Sequence, residues 1–359
     1  MIQINAALQT PRETLQFQTI LENMIEGILV LNGTGKIVLM NPSFEKMFSI
    51  PAERREGQPF SDLLPHQELQ DIIKKALRLK RTLSQEMTFL IPDERTFQVH
   101  ASIISKSKEG ELTVIFVFHD ITNLRRLERI RKDFVANVSH ELRTPLTSIK
   151  GFCEALREGA LSDPVKSIRF LEIIETNAIR LENILTDLLQ VSQLESGTLK
   201  LHPGKIEIKP LFDAILILLK PAADYKRQSL IMDIGEKGEI LYADSHRIEQ
   251  VFINLIDNAI KYTPEGGVIT VRTAVDREDY FEMIVSDTGI GVPQKAQARI
   301  FERFYRVDKG RSREQGGTGL GLSIVKHIVE LHEGTIQLES VPGQGSKFII
   351  KIPQNIQTD

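Results

Sequence analysis

A single cysteine, Cys153, occurs in 359 residues, so an internal disulfide framework is excluded. One cysteine fits a reducing compartment, and within a helical stretch it reads as a small packing residue rather than a reactive one. Long apolar runs are missing too. Stretches such as Ala214 to Leu219 and Thr113 to Phe118 fall far short of the roughly 20 residues that a membrane helix needs. No signal peptide is legible at the amino terminus. The chain therefore reads as cytoplasmic, or as the cytoplasmic part of a larger membrane protein. An excess of one charge is also lacking. Lys and Arg number 45 against 48 Asp and Glu, a net charge of −3, which gives no reason to expect nucleic acid as a partner. Finally, there is no G-x-x-x-x-G-K-[ST] run and no G-x-G-x-x-G after a strand, so Walker-type and Rossmann-type nucleotide sites are excluded.

What is present is an ordinary globular composition, 41% hydrophobic and 26% charged, with length for two or three domains. Residues 1–14 are polar and read as a loose end or the tail of an upstream helix. From 15 to 122 the pattern is mixed. Residues 27–31 and 37–40 read as strands joined by a turn at Asn32-Gly33-Thr34-Gly35. Asn41 caps a short helix beginning at Pro42. A loop rich in proline and charge precedes a helix at 66–80. Strands follow near 84–91, 95–104 and 111–119, ending in His119-Asp120-Ile121-Thr122.

Residues 122–158 carry one helical pattern, with Leu124, Leu127, Ile130, Phe134, Val138, Leu142 and Ile149 at steps of three, four or seven. Leu161-Ser162-Asp163-Pro164 breaks it. A second helix is expected over about 165–196, with Ile168, Leu171, Ile174, Ala178, Leu181, Leu185 and Leu188 as its seam, stopping at Ser196-Gly197. Two antiparallel helices have too little core alone, so two chains should pair into a four-helix bundle. Residues 200–355 read as α/β, with strands near 205–209, 228–234, 267–275, 279–286, 335–341 and 346–352. Helices are expected near 210–225, 244–262 and 320–333. Antiparallel strand pairs backed by helices suggest an α/β sandwich.

Two constellations carry chemistry. In the first helix, His140 lies two residues from both Val138 and Leu142, so at about 100° per residue it points away from the seam. Glu141 follows it, Thr144 shares its face one turn on, and Pro145 deprives the Glu141 carbonyl of a helical partner, so a bend is expected just past the histidine. An exposed histidine with an adjacent acid suits a nucleophile that meets a moving partner.

The second constellation starts at Asp244. Arg247, Gln250, Asn254, Asn258 and Lys261 fall within a helical stripe about 80° wide. Two mid-helix asparagines are poor helix formers, and their amide oxygens suit a hard cation that keeps several waters, which is magnesium behaviour. Lys261 suits a phosphate, and Tyr262 offers an aromatic face. Asp287-Thr288-Gly289-Ile290-Gly291 leaves a strand, with a carboxylate able to accept from an exocyclic amine. Ile300 to Arg306 precedes a polar run over 308–316 and then Gly317-Thr318-Gly319-Leu320-Gly321 at a helix start, where glycine-rich backbone can cradle phosphate. The polar run and the glycines read as a mobile lid over the nucleotide.

The mixed region 15–122 resembles a PAS sensory domain, and is equally consistent with a ligand-binding sensor and with a packing module. It holds no cysteine for a flavin adduct, and nothing marks His66, His100 or His119 as a haem ligand. The run Ser139-His140-Glu141-Leu142-Arg143-Thr144-Pro145-Leu146 resembles the phosphoacceptor box of sensor histidine kinases. The asparagine helix, Asp-x-Gly-x-Gly turn, Phe/Tyr segment and glycine loop are similar to the ATP-binding domain shared by those kinases, DNA gyrase, certain chaperones and mismatch-repair ATPases. The fold class expected is therefore multidomain α+β: a PAS-like sensor at 15–122, a dimerisation and phosphotransfer hairpin at 123–197, and an ATP-binding α/β sandwich at 200–355.

The resemblance implies ATP with Mg2+ held by Asn258 and supported by Asn254. Lys261 and Arg306 meet phosphates, Asp287 reads adenine, and Tyr262 packs beside it. Gly289, Gly291, Gly317, Thr318, Gly319, Leu320 and Gly321 shape pocket and lid. His140, oriented by Glu141, attacks the terminal phosphate and passes it to an aspartate on a response regulator receiver domain. Glu141 with Thr144 also matches the pattern for regulator dephosphorylation. The continuous helix leaving the PAS-like domain implies that a sensory change reaches His140 as a bend or rotation. A mechanical ATPase of the gyrase or chaperone class shares the pocket but has no use for the exposed Ser139-His140-Glu141. A scaffold with a dead kinase predicts a damaged pocket, and none is visible.

Overall fold

The structure, a computed structural model, describes residues 11–50, 56–63, 66–79, 81–90, 93–105, 112–195, 199–235, 240–275, 280–307 and 317–354. The expectations for residues 1–10, for the helix stop at 196–197 and for the polar run at 308–316 lie outside the described residues. The chain divides into two compact units, one ending at Asp133 and one beginning at Phe134.

In the first unit, helix α1 (Pro11–Asn23) precedes strands β1 (Gly27–Asn32) and β2 (Ile37–Met40). Short helices α2 (Pro42–Met47) and α3 (Phe60–Leu63) and the longer α4 (Gln67–Leu79) follow, then β3 (Leu83–Phe89), β4 (Arg95–Ser105) and β5 (Leu112–Asp120). The strands form one antiparallel sheet in the order β2-β1-β5-β4-β3. The expected turn is built by the Asn32 side chain, whose Oδ1 accepts from the backbone N–H of Thr34 at 3.1 Å and of Lys36 at 2.9 Å.

Asn41 caps α2 as expected, its Oδ1 accepting from Phe44 N at 3.1 Å. It does more: the same oxygen accepts from Ile28 N at 2.7 Å, and Nδ2 donates to the carbonyls of Leu21 and Glu26. The core is dominated by phenylalanine. Phe48 lies 4.8 Å from Phe44, 5.0 Å from Phe89 and 5.2 Å from Phe97, centroid to centroid. At the exit of β5, Asp120 Oδ1 accepts from Thr122 N at 2.9 Å, and Thr122 Oγ1 accepts from Thr96 N at 3.0 Å. Arg125 pairs with Glu86 of β3 and with Glu128. These bonds fix the root of helix α5 (Thr122–Arg157) to the sheet.

Helix α5 continues unbroken through Pro145, which is buried. A 3-10 turn at Ala160–Ser162 leads into α6 (Pro164–Glu195), capped by Asp163, whose Oδ1 accepts from Val165 N and Lys166 N. The helices run antiparallel: Phe152 faces Phe170 at 5.0 Å, Ser148 meets Asn177 at 3.3 Å, and Glu141 meets Arg180 at 3.2 Å. Much of the expected seam is bare in the single chain. Leu127 is 64% exposed and Ile168 60%, and Leu124, Ile130, Leu171 and Leu185 are exposed as well.

The α/β part of the second unit holds β6 (Gly204–Glu207), α7 (Ile208–Tyr225), β7 (Ser229–Ile234), β8 (Ile240–Ala243), α8 (Ser245–Tyr262), β9 (Val268–Val275) and β10 (Tyr280–Asp287). The short α9 (Gln294–Gln297), α10 (Gly321–Leu331), β11 (Thr335–Val341) and β12 (Gly345–Pro353) complete it. Its sheet has the order β11-β12-β10-β9-β7, antiparallel except for the parallel β7–β9 pair. Buried residues of α7, α8 and α10 share one core with the strands. Two differences from the sequence reading have physical causes. The strand expected over 205–209 stops at Glu207, because Glu207 is the N-cap of α7 and Pro210 fits its first turn. Strand β8 was not expected; it is four residues long and, among the described residues, pairs only with β6.

Candidate nucleotide and phosphoacceptor site

Helix α8 is positioned at both ends. Asp244 is its N-cap, with Oδ1 accepting from Arg247 N at 3.2 Å and Oδ2 from His202 N at 2.9 Å. The backbone N–H of Asp244 donates to Nε2 of His332 at 3.1 Å, and Nδ1 of His332 lies 2.8 Å from the Ile328 carbonyl. Nε2 must accept and Nδ1 must donate, so this fully buried imidazole is neutral, and burial lowers its pKa. At the other end, Lys226 Nζ donates to the carbonyls of Ile260 at 2.7 Å and Lys261 at 2.9 Å, and the buried Gln228 Nε2 donates to those of Ile260 and Thr263. Such cations satisfy carbonyls that a helix end leaves unpaired.

The polar stripe of α8 serves two surfaces. Arg247 Nη1 donates to Gln250 Oε1 at 3.3 Å, and Gln250 bonds Gln190 of α6. Asn258 and Lys261 instead line a cavity of about 480 Å³, together with Tyr262, Asp287, Gly291 and Arg306. Ile290, Val292, Ile300, Leu322 and Phe348 supply its apolar wall. That size and mixture suit a nucleotide-sized ligand. Lys261 Nζ lies 2.5 Å from Asp257 Oδ2, so the ammonium is held toward one side.

Asp287 ends β10. Its Oδ1 accepts from Gly289 N at 2.8 Å and from Ser346 N at 3.3 Å, while burial raises its pKa against the effect of those bonds. Gly289 is required by close approach: a Cβ there would lie 2.6 Å from the Tyr262 carbonyl oxygen. Gly291 adopts φ +67°, and a side chain would meet the Val341 carbonyl at 2.2 Å.

The glycine loop lies beside this cavity. Gly319 has φ +74° and its carbonyl accepts from Phe304 N at 2.8 Å, so the loop is bound to the Phe/Tyr segment. Thr318 Oγ1 accepts from Leu320 N at 3.2 Å and donates to Asp187 Oδ2 of α6 at 2.7 Å. A Cβ on Gly321 would lie 3.0 Å from Asn254 Oδ1, and one on Gly317 3.9 Å from Arg306 Nη2. Asn254, Gly289 and residues 317–321 are therefore neighbours of the cavity residues rather than its lining. Phe134 of α5 touches the same segment, with its ring 5.8 Å from that of Phe304 and 5.6 Å from the Arg303 guanidinium.

His140 is exposed on α5 and is not among the residues lining the cavity. Thr144 Oγ1 donates to the His140 carbonyl at 3.2 Å. Glu141 is turned toward α6, where it pairs with Arg180; the two side chains are only 15% and 16% exposed. The sequence reading did not single out Lys226, Ser346, Asp187 or Arg180. A capping lysine, a backbone N–H and two charges on a helix carry no local signature, because their roles come from tertiary approach.

Comparison with known proteins finds three families along the chain. Residues 15–121 match the PAS fold, 130–197 the His Kinase A phospho-acceptor domain, and 243–356 the histidine kinase-, DNA gyrase B- and HSP90-like ATPase family. The sensor histidine kinase WalK of Bacillus subtilis (strain 168) is 32% identical over 97% of the chain, and a sensor protein kinase WalK of Staphylococcus aureus is 34% identical over 99% of the chain and 84% of its own length. The chain belongs to the sensor histidine kinase family. It spans 57% of the Bacillus protein and 58% of a second S. aureus WalK (strain Newman). Among solved structures, histidine kinase ThkA, in complex with the response regulator protein TrrA, is similar over 94% of this chain and 98% of its own, with 26% identity and a TM-score of 0.51. Among the described residues no helix is long and apolar enough to cross a membrane.

Proposed function

We propose that this chain phosphorylates itself on His140 with ATP, passes the phosphoryl group to an aspartate of a response regulator receiver domain, and removes it again under some signal. The observation that carries this reading is the convergence of Asn258, Lys261, Tyr262, Asp287, Gly291 and Arg306 on one cavity, in a chain that also presents His140 on an exposed helix face. Asp287 accepts the adenine amine through Oδ2, since both of its hydrogen bonds above fall on Oδ1. Tyr262 packs beside the base. Lys261 and Arg306 meet the phosphates, and the glycines of 317–321 let backbone approach them.

The donor set of Asn258 at the cavity and Asn254 at the glycine loop fits a magnesium ion completed by phosphate oxygens and water. When bound, that ion neutralises charge on the transferring phosphoryl group. A His140 ring nitrogen attacks the terminal phosphorus in line, its proton passes to Glu141 once that carboxylate turns from Arg180 toward the ring, and the bond to ADP breaks. Glu141 with Thr144 later orients water on the phosphorylated regulator. Because His140 is outside the cavity lining, transfer requires the ATP-binding part to move relative to a His140, of its own or of a second chain.

Homodimerisation is supported by the exposed leucines and isoleucines of α5 and α6, which a partner hairpin would cover. The domains we assign are a PAS-like sensor at 15–122, a dimerisation and phosphotransfer hairpin at 123–197 and an ATP-binding domain at 200–355. The use of ATP argues for a cytoplasmic setting. The PAS-like domain acts through the bonds that root α5 on its sheet. The test is transfer of labelled terminal phosphate from ATP to the purified chain beside His140→Gln. Acid-labile, base-stable label that is lost in the variant is expected. Label retained in the variant, or ATP bound without labelling, would overturn the role of His140.

A further inference from the structure

Asp187 belongs neither to the phosphoacceptor run nor to the nucleotide motifs. It lies on α6, and its carboxylate is the partner of Thr318 in the glycine loop, at 2.7 Å. The surroundings of that loop include groups assigned above to phosphate and to magnesium. Gly317 faces the Arg306 guanidinium and Gly321 faces the Asn254 amide oxygen. Lys261 acts on Asp187 electrostatically, favouring its charged form, while burial opposes it more strongly and raises the pKa. An anion is thus held at partial desolvation against a hydroxyl donor and within the field of an ammonium group. A phosphate oxygen would ask for the same two partners.

We propose that Asp187 determines nucleotide preference: its carboxylate competes with the terminal phosphate of ATP for Thr318 and Lys261, so the state with α6 against the glycine loop accepts ADP more readily than ATP. This rests on the reading of the cavity as an ATP site. The Asp187 carboxylate and a phosphate cannot both take the one Thr318 hydroxyl, and Lys261, already paired with Asp257, cannot neutralise both, so in a half-buried setting their repulsion is poorly screened. ADP has no terminal phosphate and avoids it. ATP must displace Asp187, which separates α6 from the loop. The same residue would then couple loading with ATP to release of the ATP-binding part, and return after transfer would favour the product complex.

The test uses the full chain carrying His140→Gln, so that ATP is not consumed. Affinities for ATP and ADP are measured with magnesium by calorimetry, with and without Asp187→Asn and Asp187→Ala. Asn keeps an oxygen acceptor for Thr318 and removes only the charge. We expect ATP to bind on the order of ten-fold more tightly in both variants, with ADP changed by less than about three-fold. Equal changes for the two nucleotides would overturn the proposal, because the charge would then not be reading the terminal phosphate. Weaker ATP binding in Asp187→Asn would also overturn it and would make Asp187 a ligand of the bound magnesium. Unchanged ADP affinity reports that each variant is folded. Failure of the unsubstituted protein to bind either nucleotide would instead sink the ATP-site reading itself, and this inference with it.

Discussion

Asn41 in the first unit and Asp287 in the second are short polar side chains at strand ends, and their surroundings treat them in opposite ways. Asn41 is almost fully buried, yet its oxygen accepts two backbone N–H bonds and its amide donates two, so all its capacity is used. Asp287 has two bonds to one oxygen and carries a pKa raised by burial. The first arrangement is what a fold needs, since a buried polar group without partners costs about 1–3 kcal/mol. The second tolerates such a cost beside a cavity, where a ligand can relieve it.

Substitutions can break this contrast. The largest effect is expected from Phe118→Ala, which empties a fully buried position between Phe44 and Phe48. Urea unfolding of the full chain should show a loss of about 3–5 kcal/mol in the transition of the first unit, while nucleotide affinity stays unchanged. Asp287→Asn should do the reverse. The amide oxygen still accepts from Gly289 and Ser346, so thermal stability should hold or rise. ATP affinity should fall about 10- to 100-fold, the worth of a hydrogen bond to a charged group. A parallel loss of stability would show that Asp287 is structural.

Asn41→Ala should lower stability by about 2 kcal/mol, from a lost cap and unpaired backbone N–H groups, and leave ATP affinity alone. The smallest effect concerns pH. His332 is held neutral, with its pKa below the ordinary 6.5. The unfolded chain takes up a proton near 6.5 and the folded chain only at lower pH, so this contribution is intact above 6.5 and is lost as pH falls below it. Melting temperature followed from pH 8 to pH 5 should decline in that window, and the decline should shrink in His332→Gln.

Much of the molecule was legible in its sequence because the relevant signals are local. Asn41 before Pro42, Asp244 before a periodic run, and Leu161 to Pro164 between two seams each mark a boundary through capping or backbone chemistry. The glycines were legible because backbone conformation or close approach demands them, as Gly291 and Gly289 show. Strand β8 was not, because four residues with one pairing partner leave little periodicity. Asp187 and Arg180 were not, because a charge on a helix looks the same whether it faces water or a glycine loop. The exposed seam of α5 and α6 was read correctly as apolar, but its burial depends on a second chain.

The divided stripe on α8 has a mechanical consequence. Gln250 and Asn258 are eight residues apart on one helix, a lever arm of about 12 Å at 1.5 Å per residue. With Asp244 fastened at one end and the carbonyls of Ile260 and Lys261 at the other, the helix behaves as a stiff rod. Asn258 lines the cavity while Gln250 on the same rod bonds Gln190 of α6, so substitutions at Gln250 and Asn258 should show non-additive effects on nucleotide affinity.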